Sequence, residues 1–189
     1  EEELHKDKTT LFGFWVYLMT DFILFASLFA VFAVLKNGTA GGPSGHDLFS
    51  GPYVLTETIL LLVSSLVCGL TLLSLRKERI RVTLLGIATT VLLGCAFLYM
   101  EVREFGILLR EGAGPAVSGF LSGYFVLVGT HGFHIFVGLV WGISLCIALI
   151  MRGLERSTVR KLILWAIFWH FLDVVWIFIF TTVYLTALS

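Results

Sequence analysis

Charged residues are scarce in this sequence, and their scarcity excludes several classes of protein. Only 14% of the 189 residues are Asp, Glu, Lys or Arg, whereas 58% are hydrophobic, and the formal net charge is +0. Soluble domains are less apolar than this chain, and disordered chains carry more charge. The balanced charge gives no indication of a nucleic-acid partner. We therefore expect a membrane protein that binds no nucleic acid.

Cysteine is also scarce and gives no indication of a metal site. Cys68, Cys95 and Cys146 are odd in number, lie within apolar runs and have no metal-ligand spacing. Thiols in such positions usually behave as small hydrophobic side chains. We expect all three to be buried and free.

The sequence does contain five long apolar segments, at about residues 11–35, 53–75, 82–105, 120–151 and 162–188. Each can cross a bilayer as a helix, for which roughly 20 residues suffice. A barrel is excluded because no segment alternates apolar and polar residues with a period of two. The sequence predicts an all-α membrane protein, a single five-helix transmembrane domain over residues 11–189 after a cytoplasmic segment of residues 1–10.

Basic residues in the connections between segments predict the orientation. Two connections on the side of the N-terminus are rich in Lys and Arg, namely Arg76, Lys77, Arg79, Arg81, Arg152, Arg156, Arg160 and Lys161. The opposite side carries only Lys36, Arg103 and Arg110. Because Lys and Arg accumulate in cytoplasmic loops, we expect a cytoplasmic N-terminus and a periplasmic C-terminus.

Small residues in the fourth segment indicate close contacts between helices. Gly119 and Gly123 are four residues apart, and so are Gly138 and Gly142. Rows of small residues let two helix backbones approach closely within a membrane. We therefore expect the fourth helix to be central in the bundle.

Polar side chains inside the fifth segment are the most informative feature of the sequence. His170 and Asp173 are three residues apart, so a helix places them on one face. Trp169, Asp173 and Trp176 follow the same helical spacing. A carboxylate near the bilayer centre costs about 2.5–3.5 kcal/mol on insertion scales, so it normally faces protein and has a partner. We predict that His170 is the partner of Asp173.

Other segments contain further ionisable residues. Near mid-depth in the first and fourth segments lie Asp21, His131 and His134. Near the outer ends of the second and third segments lie Glu57, Glu101 and Glu104. We expect these glutamates to extend to the membrane interface, as long polar side chains near helix ends commonly do.

The residues alone leave three functions open. Histidines and carboxylates could hold a metal or haem, with His131 and His134 at one metal, although none of the five apolar segments contains the Glu-x-x-His motif of di-iron bundles. Asp21, Asp173 and the histidines could instead relay protons in a transporter, but inverted repeats and broken helices are not evident. The third interpretation is structural: the polar groups form hydrogen bonds between helices and contact another membrane protein or lipid head groups.

Two motifs resemble the paired signatures of subunit III of haem–copper respiratory oxidases. One is His131-Gly132-Phe133-His134 followed by Gly138, and the other is Trp169-His170-Phe171 with Asp173 and Trp176. Residues 20–25 resemble the first helix shared by that family, with Asp21 in place of its acidic residue. Residues 101–105 resemble its Gln-x-x-Glu-aromatic stretch, with Glu104 matching the glutamate and Glu101 departing from the glutamine. The loop of residues 37–45 and the count of five helices resemble the cytochrome bo-type ubiquinol oxidases most closely.

This resemblance implies an accessory, non-redox subunit of a proton-translocating ubiquinol oxidase in the bacterial inner membrane. The enzyme would oxidise ubiquinol and reduce oxygen to water, with haem and copper in subunits I and II and with a small subunit IV as a further partner. No catalytic, cofactor or metal site is implied on this chain, whereas bound phospholipid is. An alternative is subunit III of a short-type cytochrome c oxidase. Structural, lipid-contacting or interhelical polar roles are implied for Asp21, Glu57, Glu101, Glu104, His131, His134, His170, Asp173, Trp169 and Trp176.

Overall fold

The structure is a computed structural model that describes residues 2–36, 38, 51–75 and 79–185, with side chains from Thr9 onward. In chain order these residues form α1 (Glu2–Leu35), α2 (Gly51–Leu75), α3 (Ile80–Arg110), α4 (Gly119–Arg152) and α5 (Arg156–Ile179). A π-helical turn, Phe180–Leu185, continues α5. All five helices are long and apolar enough to cross a membrane, and these ranges contain no strand. The predicted all-α, five-helix membrane fold is confirmed.

Three helices extend well beyond the apolar segments from which they were predicted. The first begins at Glu2, α3 ends at Arg110 and α5 begins at Arg156, because polar residues can continue a helix outside the hydrocarbon. The predicted orientation and the division into a segment of residues 1–10 and a domain of residues 11–189 stay predictions. Most of the turn-rich loop of residues 37–45 lies outside the described residues, and so do Arg76 and Lys77.

Local chemistry explains where α4 begins and ends. Ser118 precedes its first turn, and the Oγ atom of Ser118 accepts a hydrogen bond from the backbone N–H of Leu121 at 3.1 Å. Gly153 follows the last turn with a φ of 67°, a left-handed conformation that glycine adopts without steric cost. This glycine allows the chain to reverse into α5.

Helices adjacent in sequence pack against each other from α2 to α5, and α5 also packs against α2. The first helix packs mainly against α4 and less extensively against α5. Within the most apolar window of each helix, 56% of the α5 residues are buried but only 22% of the α1 residues. The fourth helix contacts α1, α3 and α5, yet α5 is the more enclosed helix and α1 lies at the edge of the bundle.

The glycines of α4 lie where other helices approach it, as their spacing predicted. A Cβ atom at Gly138 would lie 3.1 Å from the Trp169 ring of α5, and one at Gly142 would lie 2.7 Å from Val91 of α3. Near the N-terminal end of α4, a Cβ atom at Gly123 would lie 3.2 Å from the Phe32 ring of α1. The small residues thus permit the close helix contacts of the bundle.

The cysteines only partly follow the expectation. All three are free, but Cys68 alone is buried, Cys146 is half-buried and Cys95 is exposed on the outer surface of α3. The prediction that all three are buried was wrong because a membrane helix is apolar on its lipid-facing side as well as on its packed side. Location in an apolar run therefore does not predict burial within the protein.

Candidate functional site: polar groups between the helices

Three buried tryptophans join α5 to its neighbours through their indole N–H groups. Each donates a hydrogen bond to another helix: Trp165 to the Gly138 carbonyl oxygen at 2.8 Å, Trp169 to Ser64 Oγ at 3.1 Å and Trp176 to Thr58 Oγ1 at 3.1 Å. A buried indole N–H normally finds such a partner. Sequence reasoning singled out Trp169 and Trp176 but missed Trp165, which the four-residue spacing from Trp169 could have indicated.

His170 and Asp173 lie together, as their spacing in the sequence predicted. The Nδ1 atom of His170 is 3.7 Å from Asp173 Oδ2, and it is 2.8 Å from the Ser65 hydroxyl oxygen of α2. Asp173 is buried, and neither of its carboxyl oxygens has a hydrogen-bond partner among the described residues. The contact with His170 is therefore an ion-pair distance rather than a hydrogen bond.

A second histidine–aspartate pair joins α1 to α4. The Nε2 atom of His134 is 3.7 Å from Asp21 Oδ2. The other ring nitrogen, Nδ1, is 2.7 Å from the Thr130 carbonyl oxygen. Because a carbonyl oxygen can only accept, Nδ1 carries a proton, and a neutral His134 would present a bare Nε2 to Asp21. Attraction across this pair thus requires a further proton, on Nε2 or on the carboxyl group.

His131 contacts α5 rather than α1. Its Nε2 atom donates to the Leu172 carbonyl oxygen at 3.2 Å, and its ring lies 5.2 Å from the Trp176 ring, centroid to centroid. His131 and His134 therefore face different helices and do not converge on one metal. Within residues 9–36, 51–75 and 79–185, no group of three or more His, Cys, Asp or Glu side chains is arranged to hold a metal ion.

A carboxyl–tyrosine cluster connects α3, α4 and the π-helical turn. Tyr124 and Tyr184 donate hydrogen bonds to the same oxygen of Glu104, Oε2, at 3.0 and 2.9 Å. The two hydroxyl oxygens are also 3.1 Å apart. Sequence reasoning identified Glu104 but neither tyrosine, because nothing in the spacing of Tyr124 and Tyr184 relates residues on different helices.

All three glutamates, Glu57, Glu101 and Glu104, are buried instead of extending to the membrane interface. Glu57 is 0% exposed with both carboxyl oxygens unpartnered among the described residues, and Oε2 of Glu101 is likewise unpartnered. The expectation for these glutamates was wrong because α2 and α3 turn them towards neighbouring helices. Gly132 of α4 makes room for Glu101, since a Cβ atom there would collide with its carboxyl group.

An apolar cleft of about 560 Å³ lies between α1 and α5. Phenylalanine is the commonest residue in its wall, as Phe22, Phe25, Phe29, Phe32, Phe171 and Phe178. Lys36 stands at one end of the cleft, where α1 ends. The cleft is open to the surroundings of the bundle, and its lining is apolar except for Lys36 and Thr182.

Comparison with known proteins identifies the family. A family model described as cytochrome c oxidase subunit III matches residues 4–188. The cytochrome bo(3) ubiquinol oxidase subunit 3 of Pseudomonas aeruginosa is 52% identical over 176 residues, covering 93% of this chain and 84% of that relative. The quinol oxidase subunit 3 of Bacillus subtilis is 43% identical over 189 residues, covering 100% of this chain and 93% of the relative. The motifs that carried the resemblance were therefore interpreted correctly, and the chain belongs to the cytochrome c oxidase subunit III family.

Proposed function

We propose that this chain is the accessory, non-redox subunit of a proton-translocating ubiquinol oxidase in the bacterial inner membrane. The names of its relatives support the reaction, ubiquinol oxidation with reduction of oxygen to water. The accessory role is supported by one observation, that the buried polar side chains point towards other helices of this bundle. The three indole N–H groups, Glu104 and His131 are all hydrogen-bonded to other helices of the same bundle. These side chains are used to hold helices together.

The proposal assigns the redox chemistry to partner chains. Subunits I and II carry the haem and copper, a small subunit IV completes the complex, and this chain contributes no catalytic residue. It stabilises the catalytic subunit and its lipids, with its N-terminus in the cytoplasm and its C-terminus in the periplasm. Asp21, Glu57, Glu101, Glu104, His131, His134, His170, Asp173, Trp169 and Trp176 act as interhelical or lipid-contacting groups.

The test is purification of the tagged chain from membranes with its partners, followed by dissociation of the subunits. We expect the complex to contain haem–copper subunits, and iron and copper to remain with those subunits after dissociation. Stoichiometric iron or copper on this chain would refute the non-redox role. Failure to isolate any haem–copper subunit with the chain would refute its place in an oxidase.

A second candidate is subunit III of a short-type cytochrome c oxidase, which the description of the family favours. The electron donor binds elsewhere in the complex, so the purified oxidase must be assayed. Turnover with ubiquinol but not with reduced cytochrome c supports the first candidate, and the opposite result supports the second.

The cleft between α1 and α5 is proposed to hold a phospholipid. Its phenylalanine wall suits acyl chains, and Lys36 suits a phosphate group. Ala30 lines the cleft, so Ala30→Phe fills it, whereas Ala88→Phe adds the same ring on the exposed surface of α3. Native mass spectrometry of the complex should show less bound phospholipid for Ala30→Phe only. Equal lipid retention in the two variants would contradict a lipid site there.

A further inference from the structure

The His170 side chain is far more open than the other polar groups near mid-depth. It is 40% exposed, whereas the side chains of Asp21, His134 and Asp173 are between 7% and 12% exposed. The membrane-spanning helix runs from Arg156 to Leu185, so His170 lies about 21 Å from its start, near its middle. An imidazole is thus presented to the hydrocarbon core of the membrane.

The two ring nitrogens of His170 have different surroundings. The inner one, Nδ1, is near Ser65 and Asp173. The outer one, Nε2, has no hydrogen-bond partner in the part of the chain that the structure describes. It lies over Gly69 of α2, where a Cβ atom would be 4.0 Å away and the surface is otherwise open. Nε2 is therefore available to a group from outside this chain.

Lipid cannot supply that group. An unpaired polar atom in hydrocarbon carries a large free-energy cost, and acyl chains cannot form hydrogen bonds. Lipid head groups are about 15 Å from the midplane of a hydrocarbon core that is about 30 Å thick. A side chain carried at mid-depth by a helix of another protein can supply the partner of Nε2.

The surface around Nε2 has the shape that a docking helix requires. Leu62, Leu66 and Leu73 are exposed along α2 on either side of Gly69, at the three- and four-residue spacing of one helix face. On α5, Ile177 is exposed seven residues after His170. Gly69 forms a shallow depression between the leucines, and small residues at such positions let a second helix approach closely. We call this surface the α2–α5 seam.

We propose that the α2–α5 seam is the docking site for a transmembrane helix of a neighbouring oxidase subunit. That helix brings a hydrogen-bonding side chain to His170 Nε2. The inference rests on the proposed function in one respect, the identity of the neighbour as a subunit of the same oxidase. Nδ1 keeps His170 oriented through Ser65 and Asp173, while Nε2 specifies the depth at which the partner helix docks.

Photo-crosslinking in the complete complex tests the location of the site. A benzoylphenylalanine residue replaces Leu66 in the seam or, as a control, Leu92 on the exposed surface of α3. We expect Leu66 to yield a protein adduct whose cross-linked peptide lies in an apolar span of another oxidase subunit, with little adduct from Leu92. Adducts to lipid or to a second copy of this chain, in a complex that still co-purifies, would overturn the docking site alone. An adduct to a membrane protein outside the oxidase would likewise overturn the docking site, whereas the absence of haem–copper subunits from the purified sample would overturn the proposed function.

Substitutions of His170 test the role of Nε2. The amide group of His170→Gln reaches the position of Nε2, whereas that of His170→Asn reaches only the position of Nδ1. We expect His170→Gln to keep most of the chain in the complex and His170→Asn to lose about tenfold in association, as for the loss of one strong interhelical hydrogen bond. The amount of each variant in the membrane is measured separately, to correct for folding. Retention by His170→Asn with loss by His170→Gln would overturn the role of Nε2, and the cross-link at Leu66 still decides the docking site if either variant fails to fold.

Discussion

The first and last helices of the bundle are about equally apolar but have opposite surroundings. More than half of the residues in the apolar window of α5 are buried, against fewer than a quarter in that of α1. Trp165, Trp169 and Trp176 of α5 are at most 1% exposed, whereas Trp15 of α1 is 48% exposed. Hydropathy therefore selects which segments enter the membrane, and it does not determine which segment lies at the centre.

The difference arises from what each helix presents to its neighbours. Trp165 and Trp169 of α5 fit against glycines of α3 and α4, and all three buried tryptophans of α5 donate their N–H groups to α2 or α4. Lipid tails are as apolar as leucine, so burial of apolar surface gives little preference for helix contacts over lipid contacts. Close packing and hydrogen bonds supply the preference instead, and α5 has more of both than α1.

The largest expected loss of stability is for Trp169→Ala in α5, and Trp15→Ala in α1 is its control. Trp169→Ala leaves a cavity between α3, α4 and α5 and removes the hydrogen bond to Ser64, so it should lower the free energy of unfolding by about 3–5 kcal/mol. Trp15→Ala on the exposed surface should change it by less than about 0.5 kcal/mol. Reversible unfolding of the chain in mixed micelles measures both. Equal losses for the two variants would show that α5 is no more central than α1.

A smaller loss of stability is expected when a methyl group is added to the tightly packed space around Trp169. A Cβ atom at Gly94 of α3 would lie 2.6 Å from the Trp169 ring and 2.8 Å from Leu139, whereas one at Gly13 of α1 has nothing within 4 Å. Gly94→Ala should therefore destabilise the chain by about 1–3 kcal/mol through overpacking. Gly13→Ala should be neutral or slightly stabilising, because alanine favours the helix. The same unfolding measurement applies, and a neutral Gly94→Ala would mean that Trp169 is not held against α3.

The helix count could be predicted because the bilayer imposes both length and backbone hydrogen bonding on each segment. Relations within one helix were predictable for a similar reason. Helical periodicity alone brings His170 to Asp173 and aligns Trp169 with Trp176. The ends of the helices were less predictable, since α1 and α3 continue through polar residues that lie outside the apolar pattern.

The glycine spacing marked where α4 is approached by other helices, but the partners of individual side chains on different helices could not be predicted from the sequence. Ser64, Thr58 and Tyr184 are acceptors or donors in the site, but such side chains are common in membrane helices and nothing marks their partners. The position of Glu57 along its helix indicated its depth in the membrane, but it did not indicate whether the side chain faces neighbouring helices or lipid. The packing of α2 against α3 and α5 determines that direction, and packing is a property of the whole bundle.

The next prediction compares a buried tyrosine, Tyr184 in the π-helical turn, with an exposed one, Tyr99 on α3. Tyr184→Phe removes a donor to Glu104 and a contact with Tyr124, so we expect a loss of about 0.6–1.7 kcal/mol, the range of interhelical hydrogen bonds in membranes. Tyr99→Phe, on the exposed surface of α3, should have no measurable effect on unfolding. If Tyr184→Phe is as stable as the unaltered chain, the carboxyl–tyrosine cluster does not hold the π-helical turn in place.

The smallest immediate effect is expected for Asp21→Asn, and comparison with Asp173→Asn shows why. Asp21 joins the peripheral α1 to His134 beside the proposed lipid cleft, so its loss should leave the initial oxidase rate unchanged but shorten the time over which activity lasts. Asp173 lies in the central α5 and orients His170, so Asp173→Asn should weaken assembly or lipid retention while leaving the haem spectrum of the complex intact. Progress curves of oxygen consumption, together with the stoichiometry and spectrum of the purified complex, measure these effects. Immediate collapse of the initial rate for Asp21→Asn would mean that Asp21 acts in each catalytic cycle. Loss of the haem spectrum from a fully assembled Asp173→Asn complex would mean that α5 helps to hold haem. Either result would contradict the division between an edge that retains lipid and a centre that holds the subunit together.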